Sequence, residues 1–256
     1  MPTEVLHRVE ELERSLVTSA CATIACTTAD ANVFRSWGAP MVVEANNGAL
    51  RKSRRHLVGA LPPPLEPAHR FALFIGSNYL PNISGFLRYV APALPRLRPA
   101  TRIVVAGSVC EALDSEVSQA SLRGCREGRL VSLGFVDDLT LDALIANASA
   151  LLLPIEYGGG SHLKTAEALL SGRPIIGTST SFRGYTAYQE LPHVILADTP
   201  ERFESAIHHS LSCGLPLGDD LLPRELLWES TLEPVVQLAR HLSGFRARHY
   251  ELLPAN

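Results

Sequence analysis

ALLLPIEYGGGSHLKTAEALLSGRPIIGT, residues 150–178, carries the reading of the fold. The apolar run ends at Ile155 and the loop EYGGG follows. Ser161 is the expected N-cap of a helix. Leu163, Ala166, Leu169 and Leu170 then recur at helical spacing as one apolar stripe. Gly172 suits a left-handed C-terminal position, and Pro174 cannot continue the helix. PIIGT reads as the next strand, so the stretch is a complete β–α–β unit with a glycine-rich turn. His162 and Lys164 fall in the first helical turn, where the helix dipole disfavours cations. A bound anion reverses that preference, and flexible glycines let backbone N–H groups approach it closely. A phosphate group is the best candidate. The plainer alternative pairs Lys164 with Glu167, a contact that contributes only about 0.2–0.5 kcal/mol and leaves the glycines unexplained.

The same alternation extends outward. Apolar runs at 71–76, 102–107, 130–133, 150–155, 174–178 and 193–197 are apolar at nearly every position. Strands buried on both faces of a parallel sheet read this way. Helical patterns lie near 82–91, 111–123, 140–148, 161–171 and 200–212. Strand then helix, repeated, gives an α/β fold with a doubly wound, Rossmann-like parallel sheet. Such sheets bind ligands beyond the carboxyl ends of their strands. The places to search are Gly76–Asn78, Gly107–Ser108, Gly134–Val136, Glu156–Gly160, Thr178–Arg183 and Asp198.

Ahead of this domain, residues 1–60 read as a charged helix (4–18), a strand at 22–28, a short helix at Asp30–Trp37 and a strand at 41–45, with a turn at Asn47-Gly48. This strand–helix–strand piece is too small to bury a core by itself. LPPPLEP has four prolines and favours an extended linker over 61–70. Residues 71–223 form the main domain, and 224–256 read as closing helices.

Composition narrows the function. A chain of 256 residues, 46% hydrophobic with a formal net charge of −3, shows no basic excess for nucleic acid. No apolar run approaches the length that spans a bilayer, and MPTEVLHRVEELERSL lacks a signal peptide's apolar centre. The five cysteines are odd in number and form no CxxC pair, so free thiols in a reducing cytoplasm are expected. His208 and His209 read as surface residues, and Asn82-Ile-Ser84 and Asn147-Ala-Ser149 as chance glycosylation patterns. A GxGxxG fingerprint fails because Leu163 stands at its third glycine, and no GK[ST] loop occurs. Asp137-Asp138 reads as a solvated turn leading into a helix cap, not as a metal-binding pair.

LLLPIEYGGGSHLKTAEALLSGRPIIGTSTSFRGY resembles the donor-binding motif of retaining GT-B glycosyltransferases of the group 1 (GT4-like) family. FIGSNYLPNISGF, GFVDD and TTADANVFRSWGA with NNG resemble further segments of that family in the same order. The resemblance implies a C-terminal donor domain preceded by a truncated first domain. It implies a metal-independent, cofactor-free transfer of a hexose from a nucleotide diphosphate sugar to an acceptor hydroxyl. Glu167 matches the glutamate that accepts from ribose hydroxyls. Gly158, Gly159, Gly160, Ser161, His162, Leu163 and Lys164 would hold the diphosphate, with Gly76 and Ser77 beside it. Phe135 and Val136 would flank the base, the alternative for Phe135 being core packing. Thr178, Ser179 and Arg183 would approach the donor.

Two departures from the family pattern stand out. Its first glutamate, eight positions before Glu167, is replaced by Gly159, so Glu156 is the nearest substitute as a catalytic carboxylate. Its Arg–Lys pair is replaced by Ser77 and Asn82, which leaves Lys164 as the main cation for the leaving group. The alternative functions are a non-catalytic nucleotide-sugar binder, a truncated inactive relative, or a GT-B-type epimerase. Expected partners are the nucleotide-sugar donor, a glycan or lipid-linked acceptor, and a second copy or companion chain that supplies the missing domain. No nucleic acid and no transmembrane segment are expected. The expected location is the cytoplasm, including the inner face of the membrane.

Overall fold

The computed structural model describes residues 3–50, 61–66, 69–119, 128–218 and 222–250. Parts of the expected first segment (51–60), linker (67–68), second main-domain helix (120–123) and closing region (251–256), together with Cys125, lie outside the described residues. The chain divides into two compact units, Met1–Ala49 with Arg224–Asn256, and Leu50–Pro223.

In the first unit, α1 (Thr3–Ser19) leads to β1 (Thr23–Ala25), α2 (Thr28–Ser36) and β2 (Val42–Glu44). β1 and β2 form a two-stranded parallel sheet. Thr27 caps α2 by accepting from the Asp30 amide. Val17, Ala25, Ala31, Ala45, Ala49 and Leu226 are buried, while Val5, Val9, Leu12 and Leu16 form an exposed stripe on α1. Asn47-Gly48 is not a turn as expected. The chain stays open there, and Ala49 bridges Leu227. A Cβ on Gly48 would lie 2.7 Å from Thr231 Oγ1 and 2.8 Å from the Leu226 carbonyl. The glycine thus serves close packing against the closing residues instead of chain reversal.

The second unit holds the doubly wound sheet. Its six strands are β3 (Arg70–Ile75), β4 (Thr101–Ala106), β5 (Leu130–Ser132), β6 (Ala150–Leu153), β7 (Ile175–Gly177) and β8 (Val194–Leu196). All pair in parallel in the order β5-β4-β3-β6-β7-β8. Each coincides with one of the six apolar runs. β6 and β7 are buried at every position, as strands covered on both faces must be. The order reverses between β3 and β6, and the loops after these two strands flank that switch point.

Among the described residues, five helical segments accompany the sheet: α3 (Leu80–Gly85), α4 (Val109–Gln119), α5 (Asp138–Asn147), α6 (Leu163–Ser171) and α7 (Pro200–Ser212). α3 runs on through a π turn at Phe86–Val90 into a 3-10 turn at Ala91–Arg96. Pro92 and Pro95 lack the N–H groups an α-helix needs, so the regular pattern fails there. Phe86 packs on Phe74, ring centroids 5.4 Å apart, and Tyr89 on Phe203 at 5.6 Å. Each fully buried aromatic contributes on the order of 2 kcal/mol or more. Gly85 carries this helix against the end of β6: a Cβ there would sit 1.8 Å from the Pro154 carbonyl oxygen. Asp137 caps α5 by accepting from the Thr140 amide at 2.7 Å, as the sequence suggests.

Among the described residues no helix is long and apolar enough to cross a membrane. Cys21, Cys26, Cys110 and Cys213 are free thiols.

Candidate nucleotide-sugar site

α6 starts one residue later than the sequence suggests. Its N-cap is His162, not Ser161, and its first turn contains no acidic residue. The cause lies in the loop, where Gly158 at φ 154° and Gly160 at φ 68° turn the chain before it enters the helix. Gly172 closes α6 in the left-handed conformation, as expected. Among the described residues no carbonyl accepts from the amides of Gly158, Gly159 or Gly160. A side chain added at Gly159 or Gly160 would meet nothing within 4 Å. The loop therefore keeps its donors and the space around them open at the carboxyl edge of β6.

Lys164 stands at the second position of α6 and reaches across the switch point. Its Nζ donates to Asn82 Oδ1 at 3.1 Å. The Asn82 amide nitrogen in turn donates to the Ser77 carbonyl at 2.9 Å and the Ser77 hydroxyl at 3.1 Å. The Glu167 charge acts on Lys164 and favours the ammonium, as the plainer pairing expects, while the larger effect of burial pulls the lysine below its ordinary value. Lys164 and Glu167 line a recess, open to solvent, with Leu73, Ile75, Ile145 and Leu153. Glu167 itself is exposed.

His162 packs beneath the loop, its Cε1 about 3.2 Å from where a Gly158 Cβ would be. Its Nε2 is buried with no partner among the described residues. Burial, then the Arg183 and Lys164 charges, lower its pKa, and the Thr180 carbonyl opposes them in part.

The remaining expected residues divide. Gly76 is buried against Val109, and Gly107, at φ 100°, packs on the Gly76 carbonyl. Ser77 orients Asn82. Phe135 is 80% exposed at the end of β5, which discards the core alternative, and Val136 beside it is half-buried. Leu163 is exposed and Ser161 half-buried at the mouth of the loop. Thr178 and Ser179 are engaged within the fold. Thr178 Oγ1 donates to the Ile155 carbonyl at 2.5 Å, and the Ser179 amide and hydroxyl both donate to the Asp198 carboxylate at 2.7 Å. Thr165, whose hydroxyl donates to the Ser181 carbonyl at 2.5 Å, ties α6 to the same loop. Glu156, the substitute catalytic carboxylate, forms an ion pair with Arg88 on the π turn. Sequence reasoning missed Arg88, Asn82 as a lysine acceptor, and the Thr165 brace, since each bond joins residues from different elements.

Among the described residues no group of three His, Cys, Asp or Glu side chains could hold a metal ion. No relative is found among curated protein sequences. The fold is similar to that of sucrose-phosphate synthase from Thermosynechococcus elongatus, with a TM-score of 0.67 and 17% identity over 93% of this chain and 62% of that one. It is similar to Anabaena HepE in complex with UDP and glucose, at TM-score 0.67 and 17% identity over 91% of this chain and 66% of that one. It is similar to α,α-trehalose 6-phosphate synthase from Burkholderia multivorans, at TM-score 0.65 and 12% identity over 99% of this chain and 65% of that one. The chain spans less than two thirds of each of these proteins. The sheet, the switch-point loops and the glycine loop have their counterpart in a family pattern that covers residues 69–213, more than half of the chain, and the chain belongs to that family, the group 1 glycosyl transferases.

Proposed function

We propose that this chain binds a nucleotide diphosphate sugar at the carboxyl edge of its sheet and serves as the donor side of a retaining, metal-independent hexosyltransferase. One observation carries this reading: the glycine amides that no carbonyl engages lie in the loop after β6, and Lys164, at the start of the helix that follows, is bonded to Asn82 in the segment after β3, the two strands that flank the switch point. In this reading the amides of the loop and Lys164 hold the diphosphate and stabilise its charge as the bond to the sugar breaks, which is electrostatic catalysis. Glu167 accepts from the ribose hydroxyls, since a carboxylate takes two O–H donors. Phe135 offers an exposed aromatic face to the base. In this reading Glu156, paired with Arg88, serves as the catalytic carboxylate. UDP and UDP-glucose are bound by one structural relative, HepE, and make the first donors to try.

The acceptor in this reading is a glycan or lipid-linked hydroxyl. The second reading is a nucleotide-sugar binder that works with a companion chain or a second copy. Thermal shifts with UDP, GDP, ADP and their sugars test the donor site. One nucleoside diphosphate stabilises the parent, and neither Lys164→Ala nor Glu167→Ala responds. Equal shifts in parent and variants would remove the assignment. Release of free sugar from the donor, or its transfer, separates the enzyme from the binder.

A further inference from the structure

Asn82 is 9% exposed, and all of its amide is committed. Its nitrogen donates twice to Ser77, so its oxygen must face Lys164 Nζ. A neutral oxygen can hold an ammonium in place without cancelling its charge. A carboxylate at the same point would hold it as firmly and neutralise it. We propose that Asn82 is a positioning residue that fixes the Lys164 ammonium at the switch point while leaving its charge available to a diphosphate. The inference rests on the donor-site reading and adds to it the reason an amide stands here.

Charge arithmetic supports the inference. Lys164 brings positive charge beside the glycine loop, Arg183 adds its charge at His162, and Glu167 is the carboxylate whose charge acts on Lys164. Burial already disfavours the ammonium, so the pocket gains by meeting an anion. An aspartate at 82 would satisfy that demand from within and compete with the ligand. The effect differs from that of a purely structural contact. If Asn82 only supported the loop, Asn82→Asp would preserve the bond and Asn82→Ala would do the greater harm. If it keeps a charge open, the order reverses.

The test uses the full chain and isothermal titration with inorganic pyrophosphate, UDP, GDP and ADP. The expected result is a loss of tenfold or more in pyrophosphate affinity for Asn82→Asp, with a thermal midpoint no lower than the parent's. Asn82→Ala loses only severalfold. Pyrophosphate binding equal in Asn82→Asp and parent, absent from the parent, or weakened more by alanine than by aspartate would overturn the proposal. Should Asn82→Asp fail to fold, Asn82→Ala carries the test: a severalfold loss supports it and unchanged affinity overturns it. If pyrophosphate behaves as expected while UDP, GDP and ADP all fail to bind, the role of Asn82 stands and the nucleotide reading falls.

Discussion

His162 shows how one side chain couples the fold to pH. Its pKa is lowered chiefly by burial, with Arg183 and Lys164 adding to the effect. The unfolded chain takes up its proton near pH 6.5, while the folded chain resists until lower pH. Between these values the unfolded state binds more protons, so stability rises with pH and is lost as pH falls below about 6.5. A bound diphosphate favours the protonated ring, so its affinity rises over the same interval as pH falls. His162→Gln should flatten both profiles, read by thermal unfolding and by titration between pH 5 and 8, values that bracket the histidine range. Gly159 gives a second prediction. A methyl group there meets nothing within 4 Å, so Gly159→Ala should change stability by less than about 0.5 kcal/mol. The same methyl should weaken diphosphate binding measurably if the ligand approaches the backbone. At this scale His162 and Lys164 stand out in the sequence because cations break a local rule at a helix start, whereas Glu167 is singled out by the resemblance alone. The Lys164–Asn82 bond is not legible there, because it joins positions 82 residues apart.

The elements were legible where hydrophobic period decides them. The six sheet strands follow the six continuous apolar runs because both of their faces are covered. The start of α6 was displaced because Gly158 and Gly160 turn the chain in a way only the folded loop reveals. The π turn at Phe86–Val90 was invisible for a similar reason: its bond pattern leaves no periodic mark in a mostly apolar stretch. Gly85 tests the packing of that helix. In an exposed helix, Gly→Ala is favourable by about 1 kcal/mol. Here the new Cβ would fall 1.8 Å from the Pro154 oxygen, so Gly85→Ala should instead destabilise the protein by about 3 kcal/mol. Denaturant unfolding reads the sign, and any gain in stability would contradict the close approach. The shift would also move Arg88 away from Glu156.

For the whole molecule, the residues of the proposed donor site all fall within the Leu50–Pro223 unit. Ligand binding should therefore slow amide exchange at 76–82 and 156–167 and leave β1 and β2 at their unliganded rates. Protection spread evenly over both units would contradict a site confined to one. The doubly wound class and the small leading piece were readable from alternation and from the change of pattern before residue 61. The closing helices join residues 1–49, as the family resemblance implies, through contacts such as Gly48 against Thr231 that pair distant segments.

The central claim is that the glycine loop and the Lys164 ammonium form one diphosphate site. Isothermal titration of the parent and Lys164→Ala with UDP, GDP and ADP addresses it directly. A charge-assisted bond of about 2–3 kcal/mol corresponds to a loss of roughly 30- to 150-fold. The account predicts that at least one of these nucleotides binds the parent and that Lys164→Ala weakens it by that much. No binding to the parent, or equal binding to both, would contradict it.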